Sequence, residues 1–120
     1  MKKVIAAVTT LGFVLVAGQA YAESAAKDFV GQTVRAISPD GNIMVINYSA
    51  DGKSAINVNN GGFTDTGVYK VTDTGYCATW TKIHDGKEGC YLVVKDGNVY
   101  LIANGKTGEV AARGTIPPKS

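Results

Sequence analysis

Histidine occurs once in this chain, at His84, and cysteine twice, at Cys77 and Cys90. That scarcity argues against a structural zinc site, which takes four nitrogen, sulfur or oxygen ligands. It also leaves any Ser-His-Asp arrangement dependent on one histidine. A catalytic histidine needs a positioned nucleophile and an orienting carboxylate. His84 instead stands in Ile83-His84-Asp85-Gly86, a turn-like stretch, and no Gly-x-Ser-x-Gly elbow occurs. No G-x-x-x-x-G-K-[ST] phosphate loop is present, and Asn60-Gly61-Gly62 reads as a turn. Asp40, Asp51, Asp85 and Asp96 each precede a glycine but belong to separate turns, without the spaced oxygen ligands of a calcium loop. These absences point away from an enzyme, a metal and a cofactor.

A charge excess is also missing once the first residues are set aside. The formal net charge of +2 comes from twelve Lys+Arg against ten Asp+Glu, and Lys2 and Lys3 account for the whole difference. They open Met1-Lys2-Lys3, which leads into an apolar run from Val4 to Gly18 and then Ala20-Tyr21-Ala22. A basic start, an apolar stretch and an Ala-x-Ala site form the layout of a secretory signal peptide. A membrane anchor is the alternative, but a spanning helix needs ~20 apolar residues. This run has 15 and is interrupted by Thr9 and Thr10. The expectation is residues 1–22 as signal peptide and 23–120 as a single domain, periplasmic or secreted. No transmembrane segment follows cleavage. With charges balanced in that mature chain, no basic patch argues for nucleic acid.

What is present is strand-like sequence. After Gly31, short β-branched runs are broken about every ten residues by Asp-Gly, Asn-Gly and similar pairs, the chemistry of tight turns. The spacing predicts strands over Gln32–Ile37, Asn42–Ser49, Lys53–Asn59, Thr66–Thr72, Tyr76–Ile83, Gly89–Lys95 and Asn98–Ala103, with a weak eighth over Glu109–Thr115. Such a meander avoids exposed edges by closing. The predicted fold is therefore all-β: a small antiparallel barrel of seven or eight strands. Ser24 to Val30 predicts a short N-terminal helix with Ser24 as N-cap, or a frayed terminus. Ile43-Met44-Val45-Ile46 and Leu92-Val93-Val94 are apolar on both faces, so either the helix or a partner covers part of the outside, or these are the scattered apolar residues that ordinary surfaces carry.

Two cysteines in an exported chain point to a disulfide. A two-residue turn at Asp85-Gly86 would put Cys90 opposite Thr81 and Cys77 roughly 13 Å further along at ~3.3 Å per residue. Disulfides span Cα separations of only about 7 Å or less. The bridge and the tight turn therefore exclude each other. The bridge is worth on the order of 3 kcal/mol, more than a turn preference, so Cys77 is expected opposite Cys90. A wider loop over Thr81–Gly86 would then carry His84 into solvent, with Trp80 on the strand face away from Cys77.

The order Gly67-x-Tyr69-x-Val71, Cys77-x-x-Trp80, Cys90-Tyr91-x-Val93 and Gly97-x-x-Tyr100 resembles a family of small exported bacterial proteins classed as a domain of unknown function. Tyr69 stands where that family more often has tryptophan. The resemblance covers roughly Gly31 to Ala103 and implies a β-rich exported domain. A weaker likeness joins the chain to small periplasmic β-barrel inhibitors of hydrolases, without an inhibitory loop that maps residue by residue.

Trp80, Tyr69, Tyr76, Tyr91 and Tyr100 are the candidate ligand- or partner-binding residues, with core packing as their ordinary use. The expected function is an exported, non-catalytic binding protein acting on a protein or envelope component, in its specific version an inhibitor of a periplasmic or host hydrolase. The alternative is a lipocalin-like carrier of a small apolar ligand. An enzyme of unknown type is third.

Overall fold

In the computed structural model, residues 24–118 are described. The signal-peptide reading of residues 1–22 lies outside them. The turn pairs produce eight strands in chain order: β1 Gln32–Ile37, β2 Ile43–Tyr48, β3 Lys53–Val58, β4 Phe63–Val71, β5 Gly75–Trp80, β6 Glu88–Asp96, β7 Val99–Asn104 and β8 Val110–Thr115. Each pairs antiparallel with the next, and β8 returns to β1 through Ala36↔Gly114 and its neighbours, which closes the barrel. Closure removes the free edges that an eight-stranded sheet would otherwise expose. The predicted strands all form, with β1 as expected and the ends of the others displaced by no more than three residues. The largest shifts, of three residues, are at the start of β4, where Phe63 extends the ladder opposite Val58, and at the end of β5, which stops at Trp80 rather than Ile83.

Side chains alternate across every strand, so one set fills the interior. Val34, Ala36, Ile46, Tyr48, Ile56, Tyr69, Tyr76, Ala78, Trp80, Val93, Tyr100, Ile102 and Ala112 form one buried cluster. Two glycines permit close strand approach. A Cβ on Gly67 would run into the Thr79 carbonyl oxygen, and one on Gly75 into that of Tyr91. A register irregularity between Ile102 and Ala103 accommodates β8.

The N-terminal helix takes a different form from the one expected. Ala25–Phe29 is a five-residue 3-10 helix, closed by i→i−3 bonds from Lys27 N to Ser24 O and from Val30 N to Lys27 O, both 3.2 Å. Ser24 does act as N-cap: its hydroxyl accepts from Ala26 N at 2.9 Å. Gly31 follows at φ 74°. Five residues are too few to build an α-helical ladder, and tertiary contact holds the segment instead. Phe29 stacks on Tyr48 at 5.3 Å and meets Tyr76 and Tyr100 edge-on at 6.1 and 5.1 Å. The segment therefore plugs the interior and leaves the outer face uncovered. Burying one such phenylalanine contributes roughly 1.5–3 kcal/mol.

Cys77 and Cys90 are bonded and stand directly opposite each other on β5 and β6. This is the register that the disulfide required. The Asp85-Gly86 pair does not form a two-residue turn. The β5–β6 ladder ends at Thr79↔Glu88, and the loop beyond it contains a 3-10 turn over Ile83–Gly86.

Candidate functional site

The candidate aromatic residues divide by location. Trp80, Tyr69, Tyr76 and Tyr100 are buried in the interior cluster, together with Tyr48, which the sequence reading did not single out. The hydroxyls of these tyrosines have partners inside the protein. Tyr48 donates to the Tyr76 oxygen at 3.1 Å, Tyr69 to the Ser49 carbonyl at 2.6 Å, and Tyr100 to Asp28 Oδ2 at 2.6 Å. Burial pushes the Tyr48 phenol well up, with Tyr76 adding to the rise. Burial also raises Tyr76. Tyr100 is pushed up to about 12, first by burial and then by its bond to Asp28. At neutral pH these phenols stay protonated and serve as packing groups and internal donors. Ser54 is different: its buried hydroxyl has no hydrogen-bond partner among the described residues.

Tyr91 reaches further out than the others. It stacks on Tyr76 at 5.3 Å, and its hydroxyl lies 3.2 Å from Nε2 of the exposed His84. His84 and Asp85 both hold left-handed backbone, at φ 56° and 55°, a conformation non-glycine residues seldom adopt. His84 thus reaches the surface, as expected, but is oriented by Tyr91. Trp80 is buried, on the strand face away from Cys77, also as expected.

The larger concavity, about 1040 Å³, lies against the outward-facing residues of β1–β4. Two cross-strand rows form its floor. One runs Arg35, Val45, Asn57, Thr64; the other runs Asn47, Ala55, Thr66 and on to Thr81, whose amide donates to Thr66 O. These residues face outward because they alternate with the buried Val34, Ile46, Ile56 and Ser54. Ala55 is the smallest side chain on the floor and leaves its middle open.

The groove is rich in hydrogen-bond donors. Asn57 Oδ1 accepts from Gly61 N at 2.6 Å, and Asn47 Oδ1 accepts from Thr33. Each amide therefore keeps its N–H₂ group for a ligand. Arg35 lies on one side. On the other, Lys82 donates to Thr64 O at 3.0 Å and sits 5.3 Å above the Phe63 ring. Asp65 is the single carboxylate of the lining, and it is already satisfied. It accepts from Thr66 N at 2.9 Å, Lys82 N at 2.8 Å and Ile83 N at 2.9 Å. Burial raises this carboxyl, but the three backbone donors outweigh burial and hold it below the usual aspartate value. Asp65 thus anchors the loop after β5.

The sequence reading missed Arg35, Asn47, Ala55, Asn57 and Lys82. The alternation of Ala55 and Asn57 against Ile56 and Val58 was readable, but their neighbours across β2 and β4 depend on the register. Cys77, Cys90 and Glu88 are the one group of potential metal ligands among the described residues, and both sulfurs are engaged in the disulfide.

The site and fold together define a plugged, disulfide-bridged meander barrel with a donor-rich outer groove. Comparison with protein-family models, with curated proteins and with solved structures finds no match.

Proposed function

We propose that the mature chain is an exported, non-catalytic binding protein that holds a protein or envelope component against the groove of β1–β4. The donor-rich groove carries this reading. Arg35, Lys82 and the amides of Asn47 and Asn57 converge on it, while its one carboxylate is occupied by backbone N–H groups. Such a surface suits an acceptor-bearing partner, namely an extended segment with backbone carbonyls and acidic side chains. Inhibition of a periplasmic or host hydrolase is the specific version, in which the bound segment belongs to the enzyme.

The interior favours surface binding over the carrier alternative. Phe29 and the tyrosines occupy the space that a lipocalin-like ligand would need.

The test is a pulldown from periplasmic extract of the source cell with the wild-type protein and an Ala55→Trp variant. An extracellular partner captured by the first and lost by the second supports the groove. Equal capture by both moves binding elsewhere. A small apolar molecule released from the natively purified protein in native mass spectrometry would restore the carrier reading.

A further inference from the structure

The disulfide lies on the outer face of the barrel, away from the groove, and its two cysteines are unequally exposed. Cys77 is only 9% exposed, whereas Cys90 is exposed. A second concavity of about 680 Å³ is lined by Cys90 but not by Cys77. Its charged lining carries both signs: Lys87 and Lys106 beside Asp85 and Glu88. On the other side of Cys77, Lys70 is its cross-strand neighbour on β4 and pairs with Glu88 at 3.8 Å.

We propose that this pocket is a thiol–disulfide exchange site, and that it takes a small zwitterionic thiol, an amino acid or short peptide carrying both ammonium and carboxylate. The incoming thiolate attacks Sγ of Cys90, the cysteine that lines the pocket. A new S–S bond forms between ligand and Cys90 while the Cys77–Cys90 bond breaks. The electron pair leaves on Cys77 Sγ, which takes a proton from water. The Glu88 carboxylate lies within 4.8 Å of both sulfurs, and its ion pair with Lys70, the cross-strand neighbour of Cys77, offsets the negative charge that a departing thiolate would meet. The thiol ligand is the only co-reactant, and the step is a redox-neutral exchange. Lys87 and Lys106 receive the ligand's carboxylate, and Asp85 and Glu88 its ammonium.

The barrel can open this bond without coming apart. Cys77 and Cys90 are held in register by paired neighbours on both sides, from Gly75↔Leu92 to Thr79↔Glu88, and β4 and β7 continue the ladder outward. The mixed disulfide therefore sits on an intact sheet, and exchange is reversible.

The experiment incubates the purified protein with reduced glutathione, or with 2-mercaptoethanol as a neutral thiol, and then traps with acid. Peptide mapping should place the adduct on Cys90, with the strand-type circular dichroism retained. A Lys87→Ala/Lys106→Ala double variant should lose roughly tenfold in its rate with glutathione and clearly less with 2-mercaptoethanol, whose thiolate carries no carboxylate for the lysines to hold. Adducts on Cys77, or divided equally between the two cysteines, would overturn the proposal. So would loss of the strand signal on opening, or equal slowing for both thiols. As a check that does not depend on opening the bridge, Cys90 in Cys77→Ser should react with oxidised glutathione at least about tenfold faster than Cys77 in Cys90→Ser, as exposure dictates. Equal rates in two folded variants would count against it. If either variant fails to fold, the wild-type mapping decides alone.

Discussion

The inner and outer faces of β2–β4 are made from alternate residues of the same strands, yet they do opposite things. Inside, Tyr48, Ile46, Ile56 and Tyr69 are packed into rings and branched chains with little space left. Outside, Asn47, Ala55, Asn57 and Thr66 leave a trough. Apart from the Ser54 hydroxyl, unpartnered among the described residues, the inner face uses its polar atoms on itself, as in the Tyr48–Tyr76 and Tyr69–Ser49 bonds. The outer face turns its amide donors toward solvent. A change on the inner face should therefore cost stability and leave the groove's chemistry alone, and a change on the outer face should do the reverse.

The largest expected effect comes from removing the plug. Phe29→Ala should cost about 3–5 kcal/mol, the usual range for a buried aromatic ring, measured as a lower denaturation midpoint. A loss under about 1 kcal/mol would mean that the 3-10 segment merely rests on the barrel. Opening the bridge comes next. Replacing both cysteines with serine should cost on the order of 3 kcal/mol, from the loop that the bond closes in the unfolded chain.

Buried tyrosines should make the inner face sensitive to base. A raised folded-state value means that their contribution is complete below the unfolded tyrosine value of about 10 and is lost as pH rises through the folded value. That value is about 12 for Tyr100. Stability should be flat near neutrality and fall above about pH 10. Tyr48→Phe should cost about 1 kcal/mol from the lost hydroxyl pair and make that fall less steep. An unchanged alkaline limb would remove Tyr48 from the account.

Asp65 gives the opposite slope. Its folded value is lowered, so its contribution is present above the unfolded value of about 3.9 and lost as pH falls through the folded one. Asp65→Asn should lower stability at neutral pH and weaken its dependence on acid. A variant as acid-sensitive as the wild type would show that other carboxylates set that limb.

The smallest effect on stability belongs to the groove floor. Ala55→Trp should change it by no more than about 0.5 kcal/mol, as surface substitutions usually do, while abolishing partner capture. Loss of capture accompanied by unfolding would erase the contrast between the two faces.

Much of the architecture was readable before any coordinates. Each Gly/Asp/Asn pair forces a turn, and β-branched alternation between turns fixes which side chains share a face. The disulfide register followed from the short reach of an S–S bond, which overruled a favourable Asp-Gly turn. These are local constraints, or constraints with one fixed length, and a chain read in order exposes them. Phe29 was not readable in this way. Its role depends on meeting Tyr48, Tyr76 and Tyr100, which come from three different strands. The helix expectation went astray for the same reason, since propensity in Ala25-Ala26-Lys27 could not register the ring contacts that set the segment's geometry.

Strand order and the cysteine pairing rest on residue identity and spacing along one chain, so the linear order of amino acids was enough to argue them. The groove and the unequal exposure of the two cysteines are different. Arg35 and Lys82 are 47 positions apart in the chain, and they border one trough because the ladder sets β1 to β4 side by side and carries β5 past Thr66 into Thr81. Which cysteine meets solvent depends on what packs around β5 and β6. Such neighbours are chosen by closure of the sheet, a long-range pairing whose register has to be satisfied in three dimensions all at once.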